Sequence, residues 1–369
     1  MSWTTWADAE ATRIREAGQW RAVRDLDGGG PAFALDDRPV TSFASNDYLG
    51  LTQHPAVIAA AHAALDRSGA GSGSARLIVG GRPVHRELED ELADWKGQAR
   101  AALFATGFAA NLGVLSVVGG PGVTVLSDEL NHASIIDGCR LSRSTVAIYR
   151  HRDLEHLSEL LADADRAVVV TDTVFSMDGD VADLAALAAV CADHGALLVL
   201  DEAHAVLGPD LAPDVGAEVL RVGTLSKTLG SLGGFVAGPA ALVDLLVNRA
   251  RSYIFTTAST PADTAAALAA VRVLRSAEGT GLVARLRSHV DRVRPGHPSP
   301  IVPVVLGDEA RAVAASAALL ERGLLVPAIR PPTVPPGSSR LRITLSAAHT
   351  EEDVDALVVA LEELDARAA

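Results

Sequence analysis

One lysine stands among small hydroxyl residues and glycines in the stretch Gly223-Thr-Leu-Ser-Lys227-Thr-Leu-Gly-Ser-Leu-Gly-Gly234. Upstream, the apolar run Ala196-Leu-Leu-Val-Leu200 ends in Asp201-Glu202-Ala203-His204. A lysine amine can form a Schiff base with an aldehyde, and a carboxylate can keep a pyridinium nitrogen protonated. Together these two residue types describe the chemistry of a pyridoxal 5'-phosphate (PLP) enzyme. Each has a plainer reading alone: a lysine in a Gly/Ser-rich loop is ordinarily solvated, and a strand-end Asp can serve a metal or a ribose hydroxyl. The inference rests on the combination.

Other residues could complete such a site. Gly107-Phe108 opens a helix after Phe104-Ala-Thr106, and a helix N-terminus offers free N–H groups and a positive dipole end to a phosphate. Thr224, three residues before Lys227, can reach the same phosphate. His132 lies just after a strand and could cover an aromatic ring; otherwise it is a surface histidine capping a helix. His204 could reach the phenolic oxygen of PLP while Asp201 holds the ring nitrogen. In Arg340-Leu-Arg342-Ile-Thr-Leu345 both arginines fall on one face of a strand, where a buried one would clamp a carboxylate and an exposed one would form a surface ion pair. The glycine-rich Gly69-to-Arg76 segment fails as a dinucleotide loop, because the third glycine is missing and a helix precedes it. Asp178-Gly-Asp180 reads as a turn, and no His/Cys cluster has metal-ligand spacing.

The elements that must position these residues alternate. Strands are expected at 101–104, 123–126, 146–149, 167–172 and 196–200, with helices at 107–117, 132–141, 153–162 and 184–194 between them. This is an α/β pattern: a mostly parallel central sheet flanked by helices, with ligands beyond the carboxyl ends of the strands. An amphipathic helix is expected over about 3–25, with Trp3, Trp6, Ile14 and Trp20 among its apolar positions, and helices at 55–67 and 86–96. After Gly238 the pattern is helix-rich to about 295. Strands at 301–306, 325–328 and 341–345 with helices at 308–322 and 350–366 then suggest a smaller α+β C-terminal domain. The division expected is 1–45 for an N-terminal helix and short strands, 46–278 for a large cofactor-binding domain, and 279–369 for the small domain.

The 369 residues suffice for a large core. A net charge of −14 argues against a nucleic-acid surface but not against a local anion pocket. Two cysteines are too few for a disulfide framework, no apolar run reaches membrane-spanning length, and the N-terminus does not read as a signal peptide. A cytoplasmic setting is the expectation.

Taken in order, Ser45-Asn-Asp-Tyr-Leu-Gly50, Thr106-Gly-Phe-Ala-Ala-Asn111, Val174-Phe-Ser-Met-Asp-Gly-Asp180, Asp201-Glu-Ala-His204, Thr224-Leu-Ser-Lys227 and Ser339-Arg-Leu-Arg-Ile-Thr-Leu-Ser-Ala-Ala-His349 resemble the α-oxoamine synthases of PLP fold type I. The resemblance runs from Arg21 to the last helix. It implies that Lys227 carries the Schiff base, Asp201 pairs with the pyridinium nitrogen, His204 and Ser176 contact the phenolic oxygen side, and His132 stacks on the ring. It implies further that Gly107, Phe108 and Thr224 hold the phosphate, that Arg342 with Asn46 binds the amino-acid carboxylate, and that Arg21 and Thr333 line the acyl-thioester side. Ala328-Ile-Arg-Pro-Pro-Thr-Val-Pro335 looks like the branch of the biotin pathway, which implies L-alanine and a pimeloyl thioester of CoA or acyl-carrier protein as substrates. The alternative is a glycine-using sister condensation of the 2-amino-3-ketobutyrate or 5-aminolevulinate type. Other rivals are an aminotransferase and a silent partner subunit. The family is dimeric with sites at the subunit interface, so Thr256 or Thr257 is expected to serve a neighbour's phosphate. One departure bears on the site: the turn from Ala203 to Gly208 is short, and relatives usually carry a longer, glycine-bearing one that would seat His204 differently.

Overall fold

Val168, Val169 and Val170 occupy the middle of a strand and are all buried, although neighbouring side chains point to opposite faces. Val168 and Val170 pack in one apolar cluster with Val125, Val199, Val222 and Val236, and Val169 packs in a second with Leu126, Leu198 and Leu200. A sheet covered on both faces therefore explains the unbroken apolar runs, and each fully buried valine or leucine contributes roughly 1.5–3 kcal/mol. The computed structural model describes residues 1–212 and 214–368.

The central sheet has seven strands, in the spatial order Arg100–Phe104, Gly234–Gly238, Val219–Thr224, Leu197–Asp201, Ala167–Asp172, Thr124–Asp128 and Thr145–Tyr149. Gly234–Gly238 runs antiparallel to both its neighbours, and the remaining pairings are parallel. Two of these strands, Val219–Thr224 and Gly234–Gly238, are not foreseen in the sequence reading. They place the loop carrying Lys227 between two paired strands, over the same edge where the parallel strands end.

Helices start where side chains replace missing backbone partners. Thr106 accepts from Ala109 N (3.0 Å), Asp153 from His156 N (2.9 Å) and Thr260 from Asp263 N (3.1 Å). The N-terminal helix is shorter than expected, Trp3–Glu16, because Gly18 enters the left-handed region (φ 65°) and closes it. It also buries nothing: Trp3 is 81% exposed, and Trp6, Ile14 and Trp20 are exposed with it. Among the described residues its aromatic contacts are local, Trp3 edge-on to Trp6 and Arg15 over Trp20.

The small sheet orders Ile301–Gly307, Ser339–Thr344 and Ala328–Ile329, all antiparallel. The expected strand at 325–328 is in fact two short ones, Leu324–Leu325 and Ala328–Ile329, in different sheets. Leu324–Leu325 pairs in parallel with Arg38–Ser42, so the early strands Asp27–Gly29, Ala32–Leu35 and Arg38–Ser42 share a sheet with the C-terminal part of the chain. This brings Asn46 close to Arg342.

Candidate active site

Thr124–Asp128, Ala167–Asp172, Leu197–Asp201 and Val219–Thr224 all end on one edge of the central sheet. Asp172 and Asp201 are side by side in register there, both buried. Burial, followed by the Asp201 charge, holds the Asp172 carboxyl well above the usual carboxylate range. Its Oδ2 accepts from the backbone N of His132 (2.8 Å), which fixes the start of the helix Ala133–Ser142.

Asp201 accepts from Asn111 Nδ2 at Oδ2 (2.7 Å) and from Ala203 N at Oδ1 (2.9 Å). Among the described residues it has no ion-pair partner, and it is only 6% exposed. A buried carboxylate with no cation in direct contact is costly, and a cationic ring nitrogen is the kind of group that would satisfy it. Asn111 also donates to Ser134 Oγ (2.9 Å), which lies 2.7 Å from His132 Nδ1. The His132 imidazole accepts from Ser134 N (3.2 Å), so His132 does cap its helix while standing at the crevice, edge-on to the exposed Phe108 ring (centroids 6.3 Å apart).

Lys227 lies half-buried with Nζ 2.8 Å from His204 Nε2. Burial pulls the Lys227 amine below its ordinary value, while the charges of Asp201 and Asp172 oppose that pull. Burial also drives His204 well below its ordinary value, and the cationic charges of Lys227 and Arg342 add to this, so its imidazole is neutral. The ring is 4% exposed and faces Lys227.

Arg342 is buried, not a surface arginine. Its Nε donates to the Ser176 carbonyl, and Nη2 donates to Asn46 Oδ1 (3.2 Å). Arg340 is buried too, but it turns to Asp178 and the Met177 carbonyl and serves the turn that carries Ser176. Asp180, in the same turn, accepts from His151 Nε2 (2.7 Å) and Arg152 Nη1 (3.3 Å). Among the described residues no cluster of acids, histidines or cysteines could hold a metal ion.

Gly107 opens the helix Gly107–Val118, whose first turn leaves N–H groups without an intrahelical partner. A Cβ on Gly107 would stand 3.2 Å from the Thr224 Cβ, and one on Gly234 would stand 2.4 Å from the Thr106 carbonyl oxygen. The glycines thus allow the helix start, Thr224 and the Lys227 loop to crowd together. These residues fit PLP: an acid without a counter-charge for the ring nitrogen, an amine for the aldehyde, a flanking imidazole and a helix N-terminus with a hydroxyl.

Arg21 and Thr333 are exposed, and no side-chain hydrogen bond among the described residues joins either to the cluster. The segments bearing them do meet, since Arg330 donates to the Gly18 carbonyl. The sequence reading missed Asn111, Asp172 and Tyr48. Tyr48 is fully buried, with its hydroxyl 2.6 Å from His204 Nδ1 and 3.1 Å from Asn46 Oδ1. Asn111 and Tyr48 both stand in motifs that carry the family resemblance, but no role was given to either, and an asparagine inside the apolar helix Gly107–Val118 was a further signal for Asn111.

Fold and site together define a PLP-dependent enzyme of the type I fold. The family model described as aminotransferase class I and II matches residues 38–361, and the chain belongs to that family. Among its relatives, the 8-amino-7-oxononanoate synthase of Anaeromyxobacter dehalogenans is 48% identical, with 96% of this chain and 94% of the relative covered. Among solved structures, serine palmitoyltransferase of S. paucimobilis with a bound PLP-myriocin aldimine superposes with a TM-score of 0.90 at 30% identity, covering 98% of this chain and 97% of that one. The 8-amino-7-oxononanoate synthase of Francisella tularensis superposes with a TM-score of 0.74 at 26% identity, covering 89% and 99%.

Proposed function

We propose that this chain is an acyltransferase that condenses L-alanine with a pimeloyl thioester of CoA or acyl-carrier protein. The products would be 8-amino-7-oxononanoate, carbon dioxide and free thiol, a reading supported by relatives named 8-amino-7-oxononanoate synthase. The observation that carries the reading is the Lys227 amine, 2.8 Å from His204, between the unpaired Asp201 carboxylate and the Arg342–Asn46 pole.

PLP, when bound, supplies an electron sink for negative charge at the alanine Cα. Asp201 would keep that sink cationic, and Asn111 orients the carboxylate that would do so. Gly107, Phe108 and Thr224 would hold the phosphate end, His132 would cover the ring, and His204 with Ser176 would serve the phenolic side. Arg342 and Asn46 would hold the alanine carboxylate and so orient the amino acid for removal of its Cα proton. Lys227, with its amine already depressed by burial, takes the Cα proton. The alanine Cα then bonds to the acyl carbon as the C–S bond breaks and the thiol leaves with a proton. The carboxylate departs as carbon dioxide, and a proton returns to Cα. Arg21 and Thr333 flank the path of the acyl thioester.

The same reading includes a homodimer. Ala258 N donates to the Ser74 carbonyl (3.0 Å) and Ser72 Oγ to the Ser259 carbonyl (2.6 Å), which stitches two segments together. Ile78, Val79 and Phe255, each about 70% exposed, share that region, and Thr256 or Thr257 would reach a neighbour's phosphate from it. No described helix is long and apolar enough to cross a membrane, and both cysteines are free and buried, which suits the cytoplasm.

The test is a matrix of amino acids against acyl thioesters. L-Alanine with pimeloyl thioester should release thiol and carbon dioxide together. Release of neither overturns the reading, and higher turnover of glycine with acetyl-CoA or succinyl-CoA moves the chain to the sister condensation.

A further inference from the structure

The hydrogen bonds around Tyr48 have only one consistent direction. Arg342 Nη2 can only donate, so Asn46 presents its carbonyl oxygen, and Tyr48 must donate its hydroxyl proton to that oxygen. The Tyr48 oxygen, having spent its proton, accepts from His204 Nδ1 (2.6 Å). A neutral His204 with its proton on Nδ1 leaves Nε2 as a bare acceptor, which matches an N–H of Lys227 at 2.8 Å. Burial holds the phenol up at about 12 against the opposing charge and hydrogen bond of Arg342, so it keeps its proton across the working range.

We propose that Tyr48 is a positioning residue that couples the two poles of the site. Its hydroxyl lets the Asn46–Arg342 pole choose which nitrogen of His204 carries the proton, and so what Lys227 meets. The proposal deepens the functional reading above and rests on it for what each pole binds. The chain runs from Arg342 through Asn46, Tyr48 and His204 to Lys227. The other titratable and charged groups acting on Lys227 are Asp201, Asp172, His132 and Arg342 itself. A ligand carboxylate that draws Arg342 away from Asn46 would free the Asn46 oxygen, and the effect would pass to Lys227 through one hydroxyl.

The chain's two lysines, Lys96 and Lys227, make the test clean. Lys96 is paired with Glu202 (2.7 Å) and serves as an internal reference. In cofactor-free protein, the rate of acylation of each lysine by an amine-reactive ester is read by peptide mass spectrometry across pH. Tyr48→Phe lets His204 place its proton on Nε2, facing Lys227, which disfavours the ammonium. The Lys227 midpoint should fall by at least half a pH unit, about threefold in the protonation equilibrium, with Lys96 unmoved. Asn46→Ala should lower it as well, because Tyr48 is then free to donate to Nδ1. In the Tyr48→Phe background Asn46→Ala should add nothing.

An unchanged midpoint in Tyr48→Phe, or an Asn46→Ala effect that persists in that background, overturns the proposal. If Tyr48→Phe does not fold, Asn46→Ala alone decides by whether the Lys227 midpoint moves. A parallel titration with PLP and L-alanine, without thioester, separates the two readings. If the wild type forms no imine chromophore, the cofactor assignment is lost, whereas the labelling result still judges Tyr48.

Discussion

His151 donates from both ring nitrogens, to Asp128 Oδ1 (2.9 Å) and to Asp180 Oδ2 (2.7 Å), and this geometry requires an imidazolium. Burial alone would lower its pKa, but the two carboxylates override that and raise it from 6.5 to about 9. Asp128 begins the turn that leads to His132, through its bond to Leu130 N, and Asp180 closes the turn that carries Ser176. Holding the ring charged to about 9 rather than 6.5 corresponds to about 3 kcal/mol. Because the folded value is raised, that contribution is fully present below about pH 6.5 and is lost as pH rises through 9. His151→Gln keeps a polar side chain but not the charge. At pH 7 it should raise the local opening equilibrium of segments 128–132 and 175–180 on the order of a hundredfold, read by amide hydrogen exchange against the wild type at the same pH. At pH 10 the two proteins should exchange nearly alike. A difference that is as large at pH 10 as at pH 7 would refute the charged clamp and leave only packing on Phe175, whose ring His151 meets edge-on at 4.4 Å.

Two further outcomes bear on the site itself. Asp201→Asn keeps the bond from Asn111 but removes the buried charge, so thiol release should fall at least a hundredfold while the fold, read by circular dichroism, is unchanged; a loss below tenfold would mean that the acid is not opposite a cation. Arg342→Lys keeps the charge and loses the fork that reaches both Ser176 and Asn46, so L-alanine should bind at least tenfold more weakly by spectral titration, with PLP affinity held; unchanged alanine affinity would remove Arg342 from the carboxylate pole.

Much of the large sheet was legible because its strands are buried on both faces. Ala167–Asp172 was read residue for residue, and the acids and histidines that follow such runs fell on one edge as parallel topology demands. Val219–Thr224 and Gly234–Gly238 escaped because Arg221 interrupts one and glycines bracket the other. Arg221 is nonetheless buried, since Glu202 takes its Nε at 2.5 Å and the Lys96 carbonyl takes Nη1 at 3.0 Å. A charge in mid-strand hides a strand from any reading based on apolar runs when its partner lies elsewhere in the chain. The converse holds at the N-terminus, where tryptophans at helical spacing look like a buried face, yet none of the helix is buried and their aromatic contacts among the described residues are local, Trp3 on Trp6 and Arg15 over Trp20.

The same limit applies to the site. Lys227, Asp201 and Arg342 could be singled out because each carries a charge whose chemistry is specific. Tyr48 and Asn111 carry none, and each matters only through an atom brought to it from far along the chain. Tyr48 meets His204 156 positions away, and Asn111 meets Asp201 90 positions away. Spacing along a sequence can place charged groups on a common edge, because strand ends and helix starts are local events. It does not show which neutral hydroxyl or amide decides the protonation of those charges, because that is settled by three-dimensional donor and acceptor counting. The charged residues define what reaction the crevice can host. The neutral ones between them determine whether binding at the carboxylate pole is felt at the amine, which is why the labelling of a single lysine can test the arrangement without any turnover.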